Sequence, residues 1–413
     1  MKTRTCSPHQ HLFVFSSLLV FLALLLVACG GASTSGGAVT PTPGKTATLQ
    51  TSCPPTGTAR AAIMTPLALG RQHTVVYSEI RGHPLNPTSI TLKRYNVSTR
   101  TATEIVTLQK TNIYEAQISA DGQWVLLHTN VSGRPAIQLV RMDGQGLQTL
   151  YCSPPLPKSG GFGWIQWSPD QKYVAFDESG PPPGEMGTPP ADPNQDTFKL
   201  LNTTTGAILT KARDSSHMLA APQAWLDPTH LLVIMAGPPT EGGSQKLALL
   251  DITTGIIKPI LDLPSSQCID ATHSLDSTRL FTSLATECHQ MGSAGTNRGP
   301  SSIQVQAISG GPAKTIYSTS TYAITALRAA TSTSLLLLIT TDWKPSHNGL
   351  WKVNTDGTGL TKLVSEAAFI KDSAHESLGF TGQFGWTMDQ PWANASRDGA
   401  YYSLAVTFYD SAC

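Results

Sequence analysis

Asp177 and Glu178 are adjacent carboxylates, and two carboxyl groups are the minimum apparatus for cleaving a glycosidic bond by acid and base or nucleophile. Neighbouring side chains in a strand leave on opposite faces, however, so this pair does not bracket a substrate, and a solvated loop mouth is its expected setting. Glu185, Asp192 and Asp196 offer oxygen to calcium, but the proline-rich interval 180–190 lacks the alternating ligand spacing of a calcium loop. His375-Glu376 and Cys288-His289 bring zinc-ligand types together, whereas a zinc site needs three or four that converge. The nearest approach to a serine-hydrolase elbow, His375-Glu376-Ser377-Leu378-Gly379, lacks its first glycine, and no phosphate loop or dinucleotide fingerprint occurs. No catalytic residue, cofactor or metal site is therefore assigned.

Cys29 has a more definite chemistry. An apolar run from Leu12 follows the basic residues Lys2 and Arg4 and ends in Leu26-Val27-Ala28-Cys29. It is too short, and too abruptly followed by Gly30-Gly31-Ala32-Ser33, to be a bilayer span of about 20 residues. A basic start, an apolar middle and a small-residue end describe a cleaved leader, here residues 1–28 of a bacterial lipoprotein signal, with Cys29 as the lipidated first residue. The expectation is a cell-membrane protein held by a lipid anchor on the extracytoplasmic side. Residues 29–52, rich in Gly, Ser, Thr and Pro, read as a flexible tether, and residues 53–413 as one folded domain.

Without Lys2 and Arg4 the 28 basic side chains fall to 26 against 27 acidic ones, a formal charge of −1 that gives no basis for capturing nucleic acid. Charged residues make up only 13% of the chain, and turn-forming residues abound, which suits an all-β protein. Short β-rich runs recur between two alternating kinds of turn. One is seen at Ser119-Ala120-Asp121-Gly122, Ser168-Pro169-Asp170-Gln171, Asp227-Pro228-Thr229, Asp276-Ser277-Thr278 and Ser396-Arg397-Asp398-Gly399, with a weaker copy at 330–334. The other is seen at Asp143-Gly144-Gln145-Gly146, Asn202-Thr203-Thr204-Thr205-Gly206, Asp251-Ile252-Thr253-Thr254-Gly255, Ser309-Gly310-Gly311 and Asp356-Gly357-Thr358-Gly359, with Asn96-Val97-Ser98-Thr99 as a degenerate first copy. Each unit is thus a four-stranded antiparallel meander of about 40 to 50 residues, the repeat of a β-propeller blade.

Ile118-Ser119-Ala120-Asp121-Gly122-Gln123-Trp124, followed by Gly133 to Gly144, resembles a TolB-type propeller repeat, and Asn354 to Leu363 resembles its second half. The resemblance implies a TolB-like, WD40-like-repeat propeller that binds proteins more readily than it performs chemistry. Seven blades are favoured, with strands before residue 70 lent to the C-terminal blade, and six are the alternative. Outside the membrane, cysteines are disulfide candidates. Cys268 and Cys288 flank one hairpin symmetrically, Cys53 and Cys413 sit at the two ends of the ring-forming region, and Cys152 competes for Cys53.

Both repeated turns fall on one rim, and the long connections fall on the other. The latter rim carries Asp177, Glu178, Glu185, Asp192, His289, Arg298, Asp342, Trp343, His347, His375, Glu376 and Trp386 as a candidate face for a protein or envelope-glycan partner. Phe162-Gly163-Trp164 and Phe384-Gly385-Trp386 precede innermost strands and approach the same mouth. A carbohydrate-active hydrolase or lyase on this face, or an extracytoplasmic sensor, are the alternative readings.

Overall fold

Runs such as Trp124-Val125-Leu126-Leu127 and Leu335-Leu336-Leu337-Leu338 are buried on both faces, as strands sandwiched between neighbouring sheets must be. A computed structural model of the chain describes residues 50–67, 74–83, 86–155, 161–179, 197–211, 219–236, 245–263, 268–285, 300–340, 347, 349–365, 393–395 and 402–404. Blade 1 is three-stranded: β1 (Thr74–His83), β2 (Asn86–Asn96) and β3 (Thr101–Gln109). Blade 2 comprises β4 (Ile113–Ile118), β5 (Trp124–Val131), β6 (Arg134–Arg141) and β7 (Gln148–Cys152). Blade 3 comprises β8 (Gly161–Trp167), β9 (Tyr173–Ser179), β10 (Thr197–Asn202) and β11 (Ile208–Lys211). Blade 4 comprises β12 (Leu219–Trp225), β13 (His230–Ala236), β14 (Gln245–Asp251) and β15 (Ile257–Leu263). Blade 5 comprises β16 (Cys268–His273), β17 (Arg279–Ala285), β18 (Ser301–Ala307) and β19 (Lys314–Thr319). Blade 6 comprises β20 (Ala323–Thr331), β21 (Ser334–Thr340), β22 (Gly349–Asn354) and β23 (Thr361–Ser365). Every pairing within these blades is antiparallel.

The first strands of successive blades lie side by side from β4 through β8, β12 and β16 to β20. The three-residue pair β24 (Ala393–Ala395) and β25 (Tyr402–Leu404) follows beside β20. Polar side chains two residues apart join some of these strands. Glu115 accepts from Ile165 N at 3.2 Å and Gln117 from Trp167 N at 3.0 Å, while Asp270 accepts from Leu327 N at 2.7 Å and Thr272 from Ala329 N at 3.2 Å.

The repeated turns close as their sequences require. Ser119 Oγ donates to Asp121 at 2.5 Å and accepts from Trp124 N at 2.9 Å; Ser168 does the same with Asp170 and Tyr173 N, and Ser274 with Asp276 and Arg279 N. In the second turn Asn202 Oδ1 accepts from Thr204 N and Thr205 N, and Asp251 Oδ1 from Thr253 N and Thr254 N. Hydrogen bonds from Ser274 and Thr278 hold the Asp276 carboxyl down at about 2, and Thr253 first among its partners depresses Asp251.

The outer strands of blades 1, 2, 4, 5 and 6 each carry one extra residue, a bulge at Ile105, Leu150, Ile260, Ile316 and Leu363 respectively. At two seams the bulge carbonyl meets the turn glycine of the next blade. A Cβ on Gly144 would overlap Ile105 O, and one on Gly357 would overlap Ile316 O. Only glycine satisfies both the contact and the positive φ of 85° and 88°.

Among the described residues six blades are built, where seven are favoured on sequence. The N-terminal segment expected to lend strands to a seventh blade is used elsewhere. Residues 50–67 run as a strap against β7 and blade 3, with a single parallel bridge between Gln50 and Gln148. Gln50 O accepts from Thr149 N at 2.7 Å, and Arg60 N donates to the bulge carbonyl of Leu150 at 2.8 Å. Ala62 N reaches Thr203 O in blade 3 at 2.6 Å, and Ile63 exchanges two hydrogen bonds with the Gln148 amide. Ala59, Ala62 and Met64 pack on the core shared by blades 2 and 3, which includes Trp124, Leu150, Tyr151, Ile165 and Phe176.

Cys53 is bonded to Cys152, at a Cα separation of 5.6 Å, and not to the terminal cysteine. The strap lays Cys53 against the end of β7, which decides a competition that spacing alone leaves open. The bond closes a loop of about a hundred residues, worth about 4–5 kcal/mol in the chain-entropy account. Cys268 opens β16 opposite Ala285. Cys288 and Cys413 lie outside the described residues, so the Cys268–Cys288 and Cys53–Cys413 expectations meet the structure only through Cys53 and Cys268.

Candidate functional site

Strand direction sorts the connections between two rims. The first and third strands of each four-stranded blade end at the rim of the serine–aspartate and Asx turns, whereas the second and fourth end at the opposite rim. There the chain passes between second and third strands through 180–196, 237–244, 286–300 and 341–348. Three side-chain clusters lie on strands approaching this rim.

The first joins blades 2 and 3. Glu178, on β9, and Lys199, on β10, occupy one face of their sheet at diagonal register positions. Tyr151, on β7, donates its hydroxyl to Glu178 Oε1 at 2.6 Å, and Lys199 Nζ forms an ion pair with Glu178 Oε2 while lying 3.2 Å from the Tyr151 oxygen. Tyr151 also stands 5.1 Å, ring to ring, from Phe176. Burial first, and then the Glu178 charge and hydrogen bond, push the Tyr151 phenol far above its ordinary range, so it remains a neutral donor. Arg134 closes the edge by donating to the carbonyls of Ser153 at 2.6 Å and Cys152 at 3.2 Å.

The second cluster is within blade 2. The His128 ring lies 5.0 Å from that of Tyr114, tilted by 47°, and the Tyr114 hydroxyl accepts from Asn130 at 2.7 Å. Burial pushes the His128 imidazole down to about 4, which leaves it neutral at pH 7. The third, at blade 6, places Tyr322 5.4 Å from His347 and 6.4 Å from Trp351, near-parallel to the indole, with Lys362 Nζ 4.8 Å over the other ring system of the stack, that of Trp351. Trp351 Nε1 donates to His347 O at 2.9 Å, and the hydroxyls of Tyr317 and Tyr322 are hydrogen-bonded.

Of the residues expected on this face, three are described. Asp177 and Glu178 are 4% and 6% exposed, so they are buried between blades instead of solvated at a loop mouth. The reason for Glu178 is its pairing with Lys199 and Tyr151; Asp177 leaves on the opposite face of β9, where its register partner is the buried Phe198. His347 is half-buried against Tyr322. Glu185, Asp192, His289, Arg298, Asp342, Trp343, His375, Glu376 and Trp386 lie outside the described residues, as does 384–386. Gly161–Trp167 is strand throughout, so Phe162 and Trp164 belong to β8 instead of preceding it. Sequence reasoning passed over Tyr151, Lys199, Tyr322 and Trp351. Lys199 was the available signal, as the one charged residue in Thr197–Asn202.

No family model matches the chain, and no curated protein matches it. Solved structures do. An oligogalacturonate lyase from Vibrio parahaemolyticus superposes with a TM-score of 0.52 at 10% identity, covering 80% of this chain and 93% of that one. The chain is a β-propeller. An oligogalacturonate lyase in complex with manganese gives a TM-score of 0.50 at 9% identity, over 72% of this chain and 87% of that one. TolB from Acinetobacter baumannii gives 0.44 at 15% identity, over 69% and 61%. The TolB-like repeat read in the sequence fits the architecture of this propeller, and at these identities the likeness concerns the fold alone.

Proposed function

We propose that the propeller is a lipid-anchored, extracytoplasmic binding protein that recognises a protein or an envelope glycan with the rim of its long connections. The inequality of the two rims carries the reading. On one rim, short turns satisfy their own polar groups through Ser119, Ser168, Ser274, Asn202 and Asp251, so little is left for a ligand. The other rim carries the extended connections on a rigid base, an arrangement in which recognition residues can vary without disturbing the core. Glu178, on a strand that ends at this rim, is paired with Lys199 and Tyr151 and holds two blades together instead of standing open to a substrate.

Cross-linking on the native cell surface, followed by pull-down, is expected to recover a partner with the intact chain and to lose it when 180–196 and 286–299 are shortened together. Equal recovery by both forms would remove the rim from the reading. Metabolic labelling with a fatty acid is expected to tag the wild-type chain and to leave Cys29→Ala unlabelled; equal labelling of the two would end the anchor proposal.

A further inference from the structure

The seam that holds the strap differs from two others in a way that assigns the strap a role. Between blades 1 and 2, and between blades 5 and 6, the turn glycine of the later blade backs directly onto the bulge carbonyl of the earlier one. Between blades 2 and 3 a chain stands in that place. The Leu150 bulge carbonyl is taken by Arg60 N, and Gly206 backs onto the strap, so that a Cβ there would lie 2.7 Å from Ala61 N and 2.8 Å from Arg60 C.

We propose that the seam between blades 2 and 3 is a slot for an extended peptide, filled in cis by residues 59–64 and kept filled by the Cys53–Cys152 bond. The slot reads main chain. Leu150 O, Thr203 O and both ends of the Gln148 amide supply acceptors and a donor from the two blades. It takes up Ala59, Ala62 and Met64, while Ala61 and Ile63 remain exposed, so it admits two small inward side chains and one long unbranched one. The Arg60 guanidinium ties this limb back to the Cys53 limb by donating to the carbonyls of Ser52 and Cys53. The disulfide is the covalent link between the strap and blade 2. A dithiol that reduces it delivers two electrons and two protons, leaving thiols at Cys53 and Cys152 and closing to its own disulfide. The strap then depends on a few half-exposed hydrogen bonds and small apolar contacts, which is the composition of a locally unfolding segment. This device is independent of which rim binds a partner.

Hydrogen exchange on the full chain tests it, before and after treatment with dithiothreitol. Reduction is expected to speed exchange at Arg60, Ala62 and Ile63 by about tenfold or more, with Leu232, Leu247 and Leu336 in blades 4 and 6 unchanged. Gly206→Ala is expected to release the strap with the disulfide intact. Gly255→Ala separates that effect from backbone strain, because Gly255 holds the same turn position with φ 77° against 73°, yet a Cβ there meets nothing within 4 Å. Undiminished strap protection after reduction, equal loosening by both glycine variants, or blades 4 and 6 accelerating in step with the strap would each overturn the proposal.

Discussion

Replacing Lys199 by Met is expected to lower the unfolding free energy by ~3–5 kcal/mol, because it leaves Glu178 as a buried charge that has lost its counterion. The two side chains are only 16% and 8% exposed, so solvent screening offsets little of the loss. Tyr151 still donates to the carboxylate, but a neutral donor does not replace an ammonium. The double variant Glu178→Gln with Lys199→Met removes both charges and keeps an acceptor for Tyr151, and should recover most of the stability. Urea denaturation of the three proteins makes the comparison, with the midpoint moving and the slope constant. A single variant within about 1 kcal/mol of wild type would mean that water reaches Glu178 and that the pair is a surface ion pair in energetic terms.

The placement of this cluster shows where sequence reading works and where it stops. The turns were legible because their chemistry is local: a serine or Asx oxygen caps amides two to five residues away, and the spacing is written in the chain. The four-stranded meander follows directly from two such turns per unit. The environment of Glu178 is not local, since Tyr151 comes from the preceding blade, and adjacent carboxylates in isolation look like a solvated mouth.

Residues 50–67 escaped for a different reason. Pro54, Pro55, Gly57 and Pro66 give the composition of a loop, and the segment binds largely through backbone groups, with Ala59, Ala62 and Met64 inward, so it carries no strand-like alternation of large apolar residues to betray its contacts. Two outcomes turn on that segment: it lends no strands to a seventh blade, and Cys53, for which Cys413 and Cys152 compete on sequence, is bonded to Cys152.

Gly357→Ala is expected to be the most damaging of the turn-glycine substitutions, and Gly144→Ala nearly its equal. Three glycines in the second turn adopt similar positive φ, 85° at Gly144, 77° at Gly255 and 88° at Gly357, so an alanine pays a similar conformational cost of about 1–2 kcal/mol at each. They differ in what lies behind them. The space behind Gly255 is open, whereas the Cβ at Gly357 would overlap the Ile316 carbonyl and that at Gly144 the Ile105 carbonyl. Backbone atoms in a bulge held by neighbouring ladder bonds cannot rotate aside as a flexible side chain would. The seam must therefore widen, at a further cost of about 1–3 kcal/mol. Denaturation should rank Gly255→Ala well above the other two in stability, and hydrogen exchange should place the loosening of Gly357→Ala in the outer strands of blades 5 and 6. Equal losses at Gly255 and Gly357 would show that the seam yields freely, and that the repeated glycine is selected by its φ and not by the blade behind it.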